Sequence, residues 1–200
     1  MILSNVEIHR ALDEGRLILT PEPTPRLPGQ GRGPCPYQTT AVDLRLGNEI
    51  MVPVPDRPFD IDLGAGRFAD LASKGNYETR VILEDQPFAL RPGQFALAKT
   101  LERVELPIRE GQVALAARIE GRSSFARCGM LVHFSAPTIH AGFRGTIALE
   151  MINLAPTTIV LYPGARVCQL TLEEVQGLPA RNESQFQGQG SPLGLSLIHI

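Results

Sequence analysis

The chain reads as a mostly β domain of the barrel or jelly-roll type with an N-terminal helix, and three observations lead there. Short apolar runs recur about every ten residues with turn signals between them. Seventeen prolines and nineteen glycines are scattered between those runs. The longest stretch with helical spacing and cap chemistry stands at the start.

Taken in order, Ser4-Asn5-Val6-Glu7 has capping-box spacing, in which Ser4 and Glu7 satisfy each other's backbone donors. Ile8, Ala11 and Leu12 supply an apolar stripe, and Gly15 is placed to end the helix. Residues 17–19 predict a short strand, and 21–36, with six prolines and three glycines, a loop. Residues 41–52 alternate, with Val42, Leu44 and Leu46 on one side. Asp43 and Arg45 on the other side either pair with charged groups across a sheet or subunit boundary, or form a solvated face. Residues 53–75 read as irregular and 77–83 as a strand.

Residues 88–90 and 95–101 predict two strands around the Arg91-Pro92-Gly93-Gln94 turn, followed by a short connection over 104–107. Residues 112–119 form the next strand, and 158–161 and 166–172 a further strand–turn–strand around Tyr162-Pro163-Gly164. From Gln176 the composition turns polar and cannot build a core, so the division falls into a domain, 1–178, and a C-terminal tail, 179–200.

Residues 120–153 carry the chemistry. Ser123 or Ser124 can cap a helical turn over 124–127, whose free N–H groups and dipole favour phosphate oxygens. Arg122 and Arg127 flank it, and guanidinium binds phosphate bidentately; the plainer reading is a capped turn with solvated arginines. Residues 130–135 predict a buried strand, and Gly142-Phe143-Arg144-Gly145 a tight reversal. From Thr146 the pattern alternates, with Ile147, Leu149 and Met151 on one face and Ala148, Glu150 and Ile152 on the other. Glu150 stands mid-strand among apolar residues, so it must be paired, be protonated or face a cavity. Its plain structural partner is an arginine such as Arg127, and His133 reads as a satisfied core histidine.

Apolar content of 43% and charged content of 20% are those of a globular protein, in one domain or one domain plus a tail. A net charge of −2 gives no bulk attraction to nucleic acid or an anionic membrane, so a phosphorylated ligand must be recognised locally. No apolar run approaches the ~20 residues that span a bilayer, and the start lacks a signal peptide's pattern. Cys35, Cys128 and Cys168 are odd in number and far apart, which predicts reduced thiols in the cytoplasm.

The Gly-Arg-Ser-Ser-Phe-Ala-Arg turn, the His133-Phe134-Ser135-Ala136 segment, the Gly142–Gly145 reversal and Ile147-Ala148-Leu149-Glu150 together resemble the dCTP deaminase family of the dUTPase-like superfamily. Ala41-Val42-Asp43-Leu44-Arg45-Leu46-Gly47, Leu90-Arg91-Pro92-Gly93 and Tyr162-Pro163-Gly164 with Gln169-Leu170 agree in order, so the likeness covers residues 1–190. It implies a distorted β-barrel assembled as a homotrimer with active sites between subunits, and conversion of dCTP to dUTP and ammonia. The runners-up are a dUTP pyrophosphatase, alone or bifunctional, and a catalytically silent nucleotide-binding trimer.

Zinc deaminases carry His-x-Glu and Pro-Cys-x-x-Cys, and neither occurs here, so the water must be activated without zinc. The resemblance makes Glu150 the general acid/base, and a partly shielded carboxylate gains proton affinity suited to that work. It assigns phosphates to Arg122 and Ser124. Ser123, Arg127 and a backbone carbonyl around Ala136 go beside Glu150 and the water. Backbone at Ala148 and Leu149 would pair with the cytosine edge. Gln169 either reads a base edge or phosphate or is an exposed strand-end amide. Mg²⁺ would ride on the triphosphate, with no protein ligands.

Gln187-Gly188-Gln189 matches a tail that closes over nucleotide in the family, with Gln189 as a binding residue. There are departures. Gln185 and Phe186 replace Lys-Tyr, Leu195–Ile200 is apolar, Pro137 replaces histidine, and His140 replaces an aspartate beside the sugar. In the pyrophosphatase branch that aspartate activates the water attacking the α-phosphate, so His140 favours deamination without hydrolysis. Histidine can still bond a 3′-hydroxyl.

Overall fold

A computed structural model describes residues 1–31, 33–54, 76–180 and 187–193. Of the expected irregular stretch over 53–75, Pro53 still belongs to a strand and 55–75 lie outside the described residues, as do the Gln185-Phe186 departure and the apolar 195–200.

Helix α1 (Asn5–Asp13) starts where its cap requires: Ser4 Oγ accepts from the Glu7 N–H at 3.4 Å. The Glu7 carboxylate pairs with Arg10. At the other end Gly15 takes φ +67°, so the Gly15 N–H reaches the Leu12 carbonyl and the Arg16 N–H that of Ala11. That double closure needs a left-handed residue, which glycine supplies without strain. Ile8 and Ala11 are fully buried.

The strands in chain order are β1 (Ile18–Thr20), β2 (Val42–Pro53), β3 (Tyr77–Val81), β4 (Phe88–Leu90), β5 (Phe95–Glu105) and β6 (Leu115–Gly121). A short helix α2 (Ser123–Arg127) follows, then β7 (Met130–Leu131), β8 (Thr138–Ile139), β9 (Arg144–Asn153), β10 (Ile159–Leu161) and β11 (Arg166–Glu174). Among the described residues, nine strands form one sheet in the order β7-β9-β5-β2-β11-β6-β8, with β1 on β5 and β3 on β2.

β2 is the strand that curls this sheet. Its first half pairs with β11 and its second half with β5 and β3, with an irregularity between Leu46 and Ile50. Gly47 sits at that corner, where a Cβ would lie 3.0 Å from the Lys99 carbonyl oxygen. Glycine therefore lets β5 approach closely enough for the sheet to bend. The curled sheet forms a half-barrel around Leu44, Leu46, Ile50, Leu90, Leu115 and Leu149, all at 0% exposure. Each such side chain contributes about 1.5–3 kcal/mol of burial.

Four expectations change. The Arg91–Gln94 and Tyr162–Gly164 turns do not close hairpins: β4 pairs with β10 in a separate two-stranded sheet, while β5 and β11 enter the large one. Turn chemistry ends a strand but does not choose its partner, and here it hands the chain between sheets. Buried Asn153 ties the two together, its amide donating to the Leu90 carbonyl at 2.9 Å and the Thr157 carbonyl at 2.8 Å. The expected connection over 104–107 is partly strand, since β5 runs to Glu105 and pairs with β1 and β9. The expected buried strand over 130–135 shrinks to Met130–Leu131, and Phe134 is exposed. Finally, α2 has Arg122 at its N-cap with no side-chain cap bond, so neither Ser123 nor Ser124 caps it.

Candidate active site

β9 follows the alternation of its sequence: Ile147, Leu149 and Met151 enter the core, while Ala148, Glu150 and Ile152 lie half-buried on the other face. That face borders a cavity of about 890 Å³, lined by Phe95, Leu97, Ile119, Ile139, Phe143 and Ile147 together with polar His133, His140, Glu150, Gln187 and Gln189. Such a volume and an apolar wall with few polar groups are typical of a small-molecule site.

His133, not an arginine, is the partner of Glu150. Its Nδ1 meets Glu150 Oε2, and the histidine side chain is only 5% exposed. The core-histidine reading is therefore corrected. Strand β7 stops at Leu131, so the chain leaves the sheet and carries His133 to the cavity wall. Arg127 instead turns back to the Ser123 carbonyl at 3.0 Å. Burial pulls the His133 pKa down, but the adjoining Glu150 carboxylate, the nearby Ala136 backbone and the charge of Glu120 raise it on balance.

The tail segment forms part of the same wall. The Gly188 N–H donates to the Arg144 carbonyl, and the Thr146 N–H to the Gln189 carbonyl at 3.0 Å. The Gln189 amide returns to the Thr146 carbonyl at 2.6 Å, and Lys99 Nζ holds the Gly190 carbonyl at 2.7 Å. Gly145 makes the seat: a Cβ there would lie 2.9 Å from Gln189 Cγ and 3.0 Å from its carbonyl oxygen. Gln189 is buried as a result. Along β9 the Thr146 N–H faces the tail, whereas the Ile147 N–H faces Thr100 on β5. By that alternation the backbone of Ala148 turns to the tail-side edge and that of Leu149 toward β5.

A second polar cluster lies where β2, β6 and β11 meet. Asp43, 1% exposed, accepts from the Gln169 amide at 2.9 Å and the Gln38 amide at 3.3 Å. Arg122 stands 3.7 Å and Arg166 4.0 Å from the same carboxylate. Arg45 pairs with Glu102, whose side chain is completely buried. The face read as possibly solvated is thus a network of ion pairs within the chain, because β11 and β5 cover it on both sides. Ser123, Ser124 and Arg127 are exposed on α2, and neither they nor Arg122 and Gln169 line the cavity.

The sequence model of dCTP deaminase-like proteins matches residues 2–175. This chain belongs to the dCTP deaminase-like family. A relative from Methanosphaera stadtmanae, named as a dUMP-forming dCTP deaminase, is 36% identical and is matched over 96% of this chain and 91% of its own. A Rhodospirillum rubrum protein named dCTP deaminase is 37% identical over 96% of this chain and 95% of its own. The crystal structure of a 2′-deoxycytidine 5′-triphosphate deaminase from Agrobacterium tumefaciens shares the fold, with a TM-score of 0.57 at 21% identity. The likeness covers 86% of this chain and 47% of that one.

Within this deaminase-like framework the family match stops before the tail, so the seat at Gly145 comes from the structure alone. Three residues escaped sequence reasoning as parts of a site: His133, Asp43 as an anchor of Arg122 and Gln169, and Gly145. Only Asp43 left a signal, a carboxylate on the charged side of an alternating strand, next to Arg45.

Proposed function

We propose that the protein deaminates the cytosine of dCTP, a hydrolase acting at the C4 amino group and releasing dUTP and ammonia. The observation that carries this reading is Glu150, a half-buried carboxylate held at the wall of a nucleotide-sized cavity. Its base form takes a proton from water as the oxygen attacks C4. The resulting acid passes protons to the ring nitrogen and the departing amine, so one residue serves as base and then acid. No zinc-bound hydroxide is invoked, and Mg²⁺ enters as a counter-ion of the triphosphate.

In this reading the cytosine edge meets the backbone at Ala148, that of Leu149 being turned to β5, His140 lies by the sugar, and Gln189 closes the pocket. Arg122, Ser124 and Gln169 hold phosphates, with Ser123 and Arg127 orienting the water. These residues stand outside their own chain's cavity lining, which supports a homotrimer of distorted barrels in which one subunit completes its neighbour's site. A fully active monomer in light scattering would sink that part. Free Cys35, Cys128 and Cys168 suit the reducing cytoplasm.

The test is to incubate the protein with dCTP and Mg²⁺, and separately with dUTP, and assay ammonia and pyrophosphate. Ammonia alone is expected, and Glu150→Gln should lower it ~10²–10⁴-fold while keeping nucleotide binding. Turnover by the variant close to that of the parent makes Glu150 structural. The dUMP-forming name of the Methanosphaera relative favours a second reading, deamination followed by diphosphate release; pyrophosphate from dUTP would establish it.

A further inference from the structure

Glu150 has two oxygens, and the cavity wall treats them differently. Oε2 is met by His133 Nδ1. Both atoms are buried and have no other hydrogen-bond partner among the described residues. A carboxylate only accepts, so the ring nitrogen that faces it carries a proton. Two anions beside the ring favour its doubly protonated form over the neutral one. The charged groups acting on it are Glu150 from β9 and Glu120 from the end of β6, both anionic, and His140 lines the same cavity.

Resting on the deaminase reading, we infer that His133 is a positioning residue for Glu150: as imidazolium it binds Oε2, fixes the carboxylate rotamer and leaves Oε1 to meet the substrate water. The proton that Glu150 carries from water to the base is then held on one defined oxygen. The imidazolium resists protonation of Oε2, so the acid form bears its proton on Oε1, facing the ring nitrogen. His133 itself exchanges no proton with substrate; each proton taken from water leaves on the pyrimidine or the amine, and the count balances without it. The ring is nearly buried, so its charge acts on the carboxylate with little solvent screening.

This role has a consequence that packing alone lacks. Deamination should fall on the alkaline side as His133 loses its charge. That alkaline limb lies above the ordinary imidazole value, because both anions favour the charged ring. His133→Gln keeps an N–H donor but no charge. It is expected to lower kcat/KM about 10–100-fold at neutral pH and to remove the alkaline limb.

The first measurement is the pH profile of kcat/KM for ammonia release by the parent and by His133→Gln. A His133→Gln profile with the alkaline limb in place and activity near the parent's overturns the inference. The second measurement does not depend on that variant's folding or on activity: NMR titration of the histidine ring in the parent and in Glu150→Gln. The His133 titration should move down in Glu150→Gln, since its anionic partner is gone. An unchanged titration overturns the inference even if Glu150→Gln is inactive. An active Glu150→Gln with the shifted titration would take Glu150 out of the chemistry, and with it the positioning role of His133, while leaving the contact intact.

Discussion

Two carboxylates on β2 and β9, strands that flank β5 in this curled sheet, differ mainly in their company. Asp43 on β2 is almost fully buried among two arginines and two amides and does not line the cavity. Glu150 on β9 is half-buried, has one titratable partner and faces a cavity. Permanent cations and amide donors hold a carboxylate in place, which suits an anchor. A single imidazole leaves an oxygen for chemistry and allows protons to come and go. The contrast separates a carboxylate that anchors other side chains from one that faces a cavity, although in the sequence each is an acid on an alternating strand.

Substitutions at the two positions should therefore fail in different ways. The largest contrast is in turnover. Glu150→Gln is expected to lose ~10²–10⁴-fold in ammonia release with little change in thermal midpoint. Asp43→Ala should instead lose about 2–3 kcal/mol of stability, because donors ordered around a charged acceptor lose it, and the shift in urea midpoint reads this directly. Its turnover should suffer mainly through KM, as Arg122 and Gln169 lose their anchor. An Asp43→Ala protein as stable as the parent, with unchanged KM, would erase the distinction.

Smaller effects sharpen the cavity side of the comparison. Gly145→Ala puts a methyl group against both the side chain and backbone of Gln189, a clash of the kind that costs about 1–3 kcal/mol and that a side-chain shift cannot relieve. The tail should leave its seat, seen as faster hydrogen exchange at the Gly188 and Thr146 amides and a raised KM. Unchanged exchange at both would mean the seat accommodates the methyl. The mildest change is His140→Asp, at an exposed position on the cavity rim. Ammonia release should stay within a few-fold of the parent, with slightly tighter nucleotide binding through the 3′-hydroxyl. A large loss of deamination would give His140 a role beyond contact with the sugar.

Much of the local structure was legible because it depends on near neighbours in the chain. The Ser4 cap and Gly15 stop of α1, the alternation of β9 and the reversal at Gly142 need only residues a few positions apart. Glu150 stood out for the same reason, as one charge breaking a short apolar pattern. The β4 and β5 hairpin failed because strand pairing depends on sequence-distant partners: β4 meets β10 and β5 meets β9, neither specified by the Pro-Gly turn between them. Likewise, the arginine expected beside Glu150 was a sound guess about charge, but only the fold could choose His133, delivered by a chain that leaves its strand two residues earlier. Asp43's burial and Gly145's close contact with Gln189 were decided by β11 and the tail, each far away in sequence. Residue chemistry and short-range period are written locally, whereas which charges meet, and which glycine must stay bare, follows from packing distant segments into one volume.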